Sequence, residues 1–254
     1  LVVNRIATVV TLNLATNVKN NLEEGSERLM VKRCKHNNTD CTMNAANWLK
    51  QLNRDGATLI ALQEGPHAER FNDALSNEYN VEKSTSERPA VGLAIRKQLH
   101  YNIIQLPPTQ MKTGALIQIR DVLCAYLPDF QILFISLWLD HKEKFSKMAT
   151  IAALEPLLVK SLNGRKCKRI LIGTDSNDSN GTMVGKTIEM LDMSVRNTIT
   201  TENADIFETC CEDEDYRFKG DYIFDTEPYT VPEVGPPGKT QLMSDHMAVT
   251  AEVS

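Results

Sequence analysis

Short apolar runs alternate with amphipathic stretches along this chain, and most of the runs have the length and composition of β-strands. Each run is rich in β-branched or aliphatic residues, which is typical of strands that pack in a core. The predicted strands cover residues 6–14, 58–62, 91–95, 115–119, 122–126, 132–139, 169–173, 222–224 and 247–253. The pattern therefore predicts a protein in which strands predominate.

A smaller number of stretches have helical spacing. In residues 44–54, Ala45, Trp48 and Leu49 recur at three- and four-residue intervals, so they share one helix face. The other predicted helices cover residues 66–77, 142–162 and 181–193. We expect Pro156 to kink or break the long third helix, because proline removes a helical hydrogen bond.

The order of these elements indicates the fold class. Many strands follow one another directly, which excludes a simple βαβ repeat and favours two packed sheets with helices on their outer faces. No internal repeat or linker divides the 254 residues, so we expect one domain over residues 1–254. The Pro- and Gly-rich stretch 228–238 is expected to be a surface loop.

Composition and charge exclude some classes of function. The formal net charge of −5 argues against broad electrostatic capture of nucleic acid, although a local basic rim or a bound metal can still offset phosphate repulsion. No apolar run is long enough for a membrane-spanning helix. The apolar start, residues 1–14, lacks a basic leading region and a cleavage site, so we interpret it as a strand rather than a signal peptide.

The six cysteines do not predict a zinc site, because no C-x-x-C pair is present. Cys124 and Cys167 lie in or beside apolar runs and are expected to pack in the core. Cys34 and Cys41 could form a disulfide in an oxidising compartment. The sequence favours a reduced, intracellular setting, because a glycan on the Asn177 glycosylation signal would block a candidate site residue.

Several isolated polar residues stand at the ends of predicted strands, where phosphoester chemistry would need them. Such hydrolysis requires a hard cation, an aimed water and donors for the charge that develops on the phosphoryl oxygens. Magnesium prefers one or two carboxylates and retains several waters. The candidate residues are Asn13, Glu64, Asp175, Asn177, Asp221, Asp245 and His246. Each motif alone is a common loop pattern, but their number and order favour a shared site.

The motifs resemble those of the endonuclease/exonuclease/phosphatase superfamily, which includes deoxyribonuclease I, and the resemblance runs from Asn13 to His246. Its most specific pieces are Leu62-Gln63-Glu64, Gly173-Thr174-Asp175-Ser176-Asn177 and Ser244-Asp245-His246. The resemblance implies an α/β four-layer αββα sandwich, with two packed, mostly antiparallel sheets flanked by helices. It also implies dependence on Mg²⁺ or Mn²⁺.

The same resemblance implies a metal site. Glu64 would be the main metal ligand, and Asn13 and Asp245 would assist it.

The resemblance also implies four catalytic roles. Asp175 would orient or deprotonate the attacking water, and Asn177 would bind a phosphate oxygen. His246 would donate to the phosphate. Asp221 would accept a hydrogen bond from the other imidazole nitrogen and so fix its tautomer.

One strand departs from the family pattern. Active relatives usually have Asn-x-His-Leu there, but Ser136 and Trp138 stand at the Asn and His positions. Trp138 could stack on a substrate base, or it could simply fill the space. His141 could swing in to replace the missing histidine, and Tyr126 resembles a tyrosine used by some abasic-site enzymes. These alternatives stay open at the level of sequence.

The sequence therefore predicts a metal-dependent phosphodiester hydrolase, most simply a nuclease with DNA or RNA as substrate. One alternative is a phosphatase for inositol phosphates or lipid headgroups. The other is a weak or catalytically silent binding protein, which the tryptophan at position 138 motivates. Substrate and oligomeric state are not encoded in any motif.

Overall fold

The structure is a computed structural model of the 254-residue chain. It describes residues 6–14, 41–52, 57–65, 69–84, 91–106, 109–110, 116–117, 121–139, 144–163, 167–177, 196–197, 220–225, 233–234, 246 and 248–253.

Three helices and fourteen strands are formed by the described residues. The helices are α1 (Cys41–Gln51), α2 (Glu69–Leu75) and α3 (Lys144–Asn163). The strands of the first half are β1 (Ile6–Asn13), β2 (Ala57–Gln63), β3 (Tyr79–Lys83), β4 (Val91–Arg96), β5 (Asn102–Ile104), β6 (Thr109–Gln110) and β7 (Leu116–Ile117). Those of the second half are β8 (Val122–Leu127), β9 (Ile132–Trp138), β10 (Arg169–Asp175), β11 (Arg196–Asn197), β12 (Asp221–Asp225), β13 (Glu233–Val234) and β14 (Val249–Glu252).

Twelve of these strands form two six-stranded sheets of similar plan. The first sheet has the order β13-β14-β1-β2-β4-β3, and the second has the order β11-β12-β10-β9-β8-β5. Each sheet has one parallel pair at its centre, β1 with β2 and β9 with β10, and its other described pairings are antiparallel. The prediction of two mostly antiparallel sheets is confirmed.

The central strands bury residues on both faces, as strands between two layers must. Alternate residues of each strand enter the space between the sheets, for example Val9 of β1, Leu59 of β2, Phe134 of β9 and Leu171 of β10. The intervening residues face outward and pack under the helices. The layer between the two sheets is therefore an apolar core.

The helices cover the two outer faces. Trp48 and Leu49 of α1 and Phe71 of α2 pack against outward residues of the first sheet. Leu154 and Leu158 of α3 pack against outward residues of the second sheet. The layer order is helix, sheet, sheet, helix, which confirms the predicted αββα sandwich. The predicted shared face of Ala45, Trp48 and Leu49 is the buried face of α1.

Some local predictions were wrong. Helix α3 continues through Pro156 and is not broken there; this proline is exposed, so the burial of Leu154 and Leu158 on the opposite side can hold the helix together. The stretch 228–238 is not all loop, because β13 lies within it and pairs with β14. The short strand β3 was missed, since its polar residues Asn80, Glu82 and Lys83 mask the strand pattern.

Other predictions fall partly or wholly outside the described residues. The helix at 181–193 lies outside them, and the prediction of one domain over residues 1–254 stays a prediction. No helix among the described residues is long and apolar enough to cross a membrane.

The cysteines are divided between core and disulfide. Cys124 and Cys167 are free and buried, as predicted, whereas Cys41 is disulfide-bonded. Cys34 lies outside the described residues, so its pairing with Cys41 stays a prediction. A disulfide is typical of an oxidising compartment and counts against the intracellular setting, which also stays a prediction.

Candidate active site

The predicted site residues lie where the two central parallel pairs end. Asn13 and Gln63 are register partners at the carboxyl end of the first pair. Trp138 and Asp175 are register partners at the same end of the second pair, and Asp221 stands opposite Asp175 on the antiparallel neighbour β12. Because both parallel pairs end at this edge, side chains from two sheets meet in one place.

Asn13 joins the two sheets directly. Its Nδ2 donates hydrogen bonds to Glu64 Oε1 at 3.1 Å and to Asp175 Oδ2 at 2.8 Å. All three residues are buried, and Asn13 and Asp175 are fully so. This amide therefore holds two acidic side chains, one from each sheet, towards each other.

Glu64 reaches this position through an unusual backbone conformation. It follows the last residue of β2 and has φ 47°, in the left-handed region that few non-glycine residues adopt. Asn177 beyond the end of β10 has φ 44°. Such conformations persist only when the surrounding structure holds them, and they concentrate at functional sites.

Asn177 fixes the carboxylate of Asp175. Its backbone N–H donates to Asp175 Oδ1 at 3.0 Å, and its Nδ2 donates to Asp175 Oδ2 at 3.2 Å and to the Leu139 carbonyl at 2.8 Å. Both oxygens of Asp175 thus have defined partners, and the carboxylate cannot rotate freely.

His246 and Asp221 form a buried pair. The Nδ1 of His246 lies 2.9 Å from Asp221 Oδ2, and the two side chains are 3% and 0% exposed. A carboxylate at Nδ1 favours a proton on that nitrogen and leaves Nε2 for another partner. The pairing is the one that the sequence motifs predict.

Glu64, Asp175 and His246 come close enough to hold one metal ion. Each offers one ligand atom, and these three atoms lie within 4.8 Å of one another. Carboxylate oxygens are the donors that suit Mg²⁺ and Mn²⁺, whereas imidazole is a more usual ligand of zinc, copper, iron and nickel. The two carboxylates of this group therefore fit the cation that the motifs imply.

The raised pKa of Asp175 also indicates that the site would favour a bound cation. Burial, which disfavours the charged carboxylate, raises the pKa of Asp175 to about 7, and the negative charges of Asp221 and Glu64 add to the rise. The charge of His246 and the Asn177 N–H act in the opposite direction. A cation among these groups would remove the repulsion and favour the ionised form.

Trp138 lies beside Asp175 as its register partner on β9, but its indole ring is not exposed as a surface on which a substrate base could stack. Its ring is partly buried and packs against the inter-sheet core. Its Nε1 is buried and has no hydrogen-bond partner in the part of the chain that the structure describes. The backbone N–H of Trp138 donates to the Asp121 carbonyl at 2.9 Å. These contacts favour the interpretation that the indole fills space.

Tyr126 is not brought to the site. It pairs with Leu133, whereas Val122, at the other end of β8, pairs with Leu137 next to Trp138. At about 3.3 Å per residue, the four-residue separation along β8 is on the order of 13 Å. Strand alternation also places Tyr126 on the same face as Val122 and Cys124, which pack in the outer core under α3. Its predicted role in substrate binding has no support in this geometry.

The remaining two predicted site residues, Asp245 and His141, lie outside the described residues. Their roles as metal ligand and substitute histidine stay predictions.

Gln63 is a site feature to which the sequence analysis gave no role. It is fully buried between the sheets and bonds to residues of both. A polar glutamine at the end of the apolar run of β2 was the available signal for a role of Gln63. The neighbouring Glu64, a candidate metal ligand, was a sufficient explanation of the motif.

Comparisons with known proteins reveal the fold and leave the closer relationship open. No family model matches the chain, and no curated protein matches it. Solved structures do match over nearly the whole chain. An endonuclease/exonuclease/phosphatase structure from Bacteroides vulgatus has a TM-score of 0.63 at 15% identity and covers 98% of each chain.

Two further structures have the same architecture. A truncated TDP2 from Caenorhabditis elegans has a TM-score of 0.61 at 12% identity, covering 97% of this chain and 96% of its own. The endonuclease domain of TRAS1, a telomere-specific non-LTR retrotransposon, has a TM-score of 0.55 at 14% identity and covers 97% of each chain. The predicted architecture is thereby confirmed: the protein has the deoxyribonuclease-I-like fold that these endonuclease/exonuclease/phosphatase structures share.

Proposed function

We propose that this protein is a Mg²⁺- or Mn²⁺-dependent phosphodiester hydrolase that acts on nucleic acid. The observation that carries the proposal is the convergence of Glu64, Asp175 and His246 within 4.8 Å at the edge shared by both sheets. Carboxylates from two sheets do not approach a buried histidine for stability alone, because buried charges without compensation are unfavourable.

Glu64 would hold the ion, with Asp175 and His246 beside it and Asp245 as a further ligand. In the structure the Asn13 amide nitrogen donates to both carboxylates, so a contact of this side chain with a metal would be made by its oxygen. A bound divalent cation would neutralise phosphate oxygens and lower the pKa of a coordinated water.

The other residues supply binding and proton transfer. Asp175, with its pKa near neutrality, can accept a proton from the attacking water. Asn177, which already orders Asp175, would turn its amide to a phosphate oxygen. With both ring nitrogens protonated, His246 would donate from Nε2 to the phosphate and from Nδ1 to Asp221, so the imidazole stays oriented as charge develops.

The choice of nucleic acid as substrate rests on the fold comparison and on the charge pattern of the sequence. One neighbour in fold is named an endonuclease domain, and the sequence contains no clear basic insert beside the site motifs that would suit an inositol polyphosphate. We therefore rank a nuclease above a phosphatase.

The direct test is hydrolysis of DNA, RNA and a bis-aryl phosphodiester in Mg²⁺ or Mn²⁺, with Asp175→Ala beside the wild type. We expect a loss of roughly 10²–10⁴-fold in kcat, the usual effect of removing a positioned acid or base. Asp129→Ala is the matched control, because Asp129 is an exposed aspartate in the turn between β8 and β9, at the other end of the sheet.

Two results would contradict the proposal. Equal turnover by wild type and Asp175→Ala would remove Asp175 from the mechanism. Release of inorganic phosphate from inositol phosphates, without cleavage of DNA or RNA, would show a phosphatase instead.

A further inference from the structure

A single buried amide connects four of the strands that carry the site. Gln63 Nε2 donates to Ser136 Oγ on β9 and to the Gly173 carbonyl on β10, both at 3.3 Å. Gln63 Oε1 accepts from Thr11 Oγ1 on β1 at 3.2 Å. Ser136 Oγ in turn donates to the Leu62 carbonyl on β2 at 3.0 Å. Two strands of each sheet are joined in this way.

The position of this network along the strands is informative. Each strand partner of Gln63 lies two positions before a residue at the site. Thr11 precedes Asn13, Ser136 precedes Trp138, and Gly173 precedes Asp175. Residues two apart face the same side of a strand, so the network lies directly beneath the site. Gln63 is itself followed by Glu64.

The network also lies where the two sheets approach each other closely. A Cβ atom on Gly173 would stand 2.5 Å from the Ala61 Cβ and 3.1 Å from the Thr11 Cβ, so a larger residue does not fit. Glycine and alanine let the sheets approach, and the side-chain hydrogen bonds of Gln63 span the same gap. Contact and hydrogen bonding therefore set one separation between the sheets at this level.

We propose that Gln63, with Ser136, is a positioning residue that sets the distance between Glu64 of the first sheet and Asp175 of the second. Without the bridge the two carboxylates keep their hydrogen bonds to Asn13 but lose the support beneath them that fixes the separation of the two sheets, and a cation site depends on that separation. This inference rests on the proposed function, because it assigns Gln63 a role in the metal affinity of the same site.

The network also explains why serine suffices at position 136. Ser136 is fully buried, and its hydroxyl both accepts from Gln63 and donates to the Leu62 carbonyl. A short hydroxyl fits between two polar partners at this close approach. Its role is consequently to hold the second sheet in register with the first.

The test is Mn²⁺ affinity by calorimetry, together with kcat, KM and thermal unfolding, for wild type, Gln63→Leu and Ser136→Ala. Supporting groups of metal ligands typically contribute about 10–100-fold to affinity or activity. We expect Gln63→Leu to weaken Mn²⁺ binding and lower kcat by at least ~10-fold with a smaller change in KM. Ser136→Ala, which leaves the Gln63 bond to Gly173, should have a smaller effect in the same direction.

Ile135→Val is the matched control for stability. Ile135 neighbours Ser136 but packs in the outer core under α3, and such a truncation typically costs about 0.5–1.5 kcal/mol. It should lower the melting temperature and leave Mn²⁺ affinity unchanged. If Gln63→Leu does not fold, the comparison of Ser136→Ala with Ile135→Val decides the question.

The outcomes separate the two proposals. Wild-type affinity for Mn²⁺ in folded Gln63→Leu, or in Ser136→Ala when Gln63→Leu does not fold, would overturn the positioning role alone. Absence of Mn²⁺ binding and hydrolysis in the wild type would overturn the proposed function and this inference with it.

Discussion

At the scale of single residues, the site concentrates groups that repel one another. Asp175, Asp221 and Glu64 place acidic oxygens in a buried region, with His246 as the neighbouring base. Burial and the neighbouring charges raise the pKa of Asp175 to about 7. Since its ordinary value is 3.8, the folded state holds a proton that the unfolded chain releases. The site therefore destabilises the metal-free protein at neutral pH.

The first prediction follows from the sign of this shift. Between pH 3.8 and about 7 the folded state binds more protons, so the free energy of unfolding falls as pH rises. Asp175→Asn has no such proton, and its melting temperature relative to wild type should rise from pH 5 to pH 8. We expect a gain on the order of 5 °C, measured by thermal unfolding with a chelator present. A difference that is constant with pH would contradict the raised pKa.

The second prediction concerns the departure at Trp138. The relatives that the motifs resemble usually have histidine here, and indole offers only a neutral donor in place of an acid or base. Trp138→His should raise kcat for a phosphodiester by at least ~10²-fold, the lower end of the usual contribution of such a group. Trp138→Phe serves as the control for loss of the indole alone.

The opposite outcome would also be informative. If Trp138→His gives no gain and Trp138→Phe loses activity, the indole itself contributes to substrate binding, as the stacking alternative requires. If neither change affects kcat, position 138 has no part in the reaction.

At the scale of elements, the alternation within each strand encodes both core and site. In β1 the inward residues change from Val9 to Thr11 to Asn13, and β10 passes in the same direction from Leu171 to Gly173 to Asp175. The apolar residues at the amino end of each strand pack in the core, and the small or polar residues in the middle allow the two sheets to approach. The residues at the carboxyl end form the candidate site. The inward positions of one strand therefore serve three different purposes.

The third prediction tests the close approach of the two sheets at Gly173. Gly173→Ala would place a Cβ atom 2.5 Å from that of Ala61, and overpacking of this kind typically costs about 1–3 kcal/mol. Urea unfolding should show that loss, and adding Ala61→Gly should restore most of it because it removes the clashing atom. Failure of the second change to compensate would place the strain elsewhere.

Sequence patterns predicted the central strands well, because each is a clear apolar run with a polar residue at one end. The motif resemblance singled out Glu64, Asp175 and His246 as candidates, and the structure brings these three residues together. The amide bridge of Gln63 could not, since it depends on the register between two sheets, which no local pattern contains. Edge strands such as β3 were missed because their exposed side chains are polar, and α3 was not broken at Pro156 because packing stabilises it.

At the scale of the whole molecule, two similar sheets place the ends of their parallel pairs at one edge. The residues that converge there come from distant segments, with Asn13 and Asp175 separated by 162 positions. Folding of the entire sandwich is therefore required before the site exists. A net charge of −5 gives no general attraction for nucleic acid, so the proposed binding of nucleic acid would have to arise locally, at the site and the cation proposed for it.

The measurement that tests this account most directly is anomalous diffraction from a crystal soaked in Mn²⁺. The account predicts one strong peak in contact with the Glu64 carboxylate and beside Asp175 and His246. A soaked crystal without a peak at that position, or with Glu64 and His246 facing separate cavities, would contradict it.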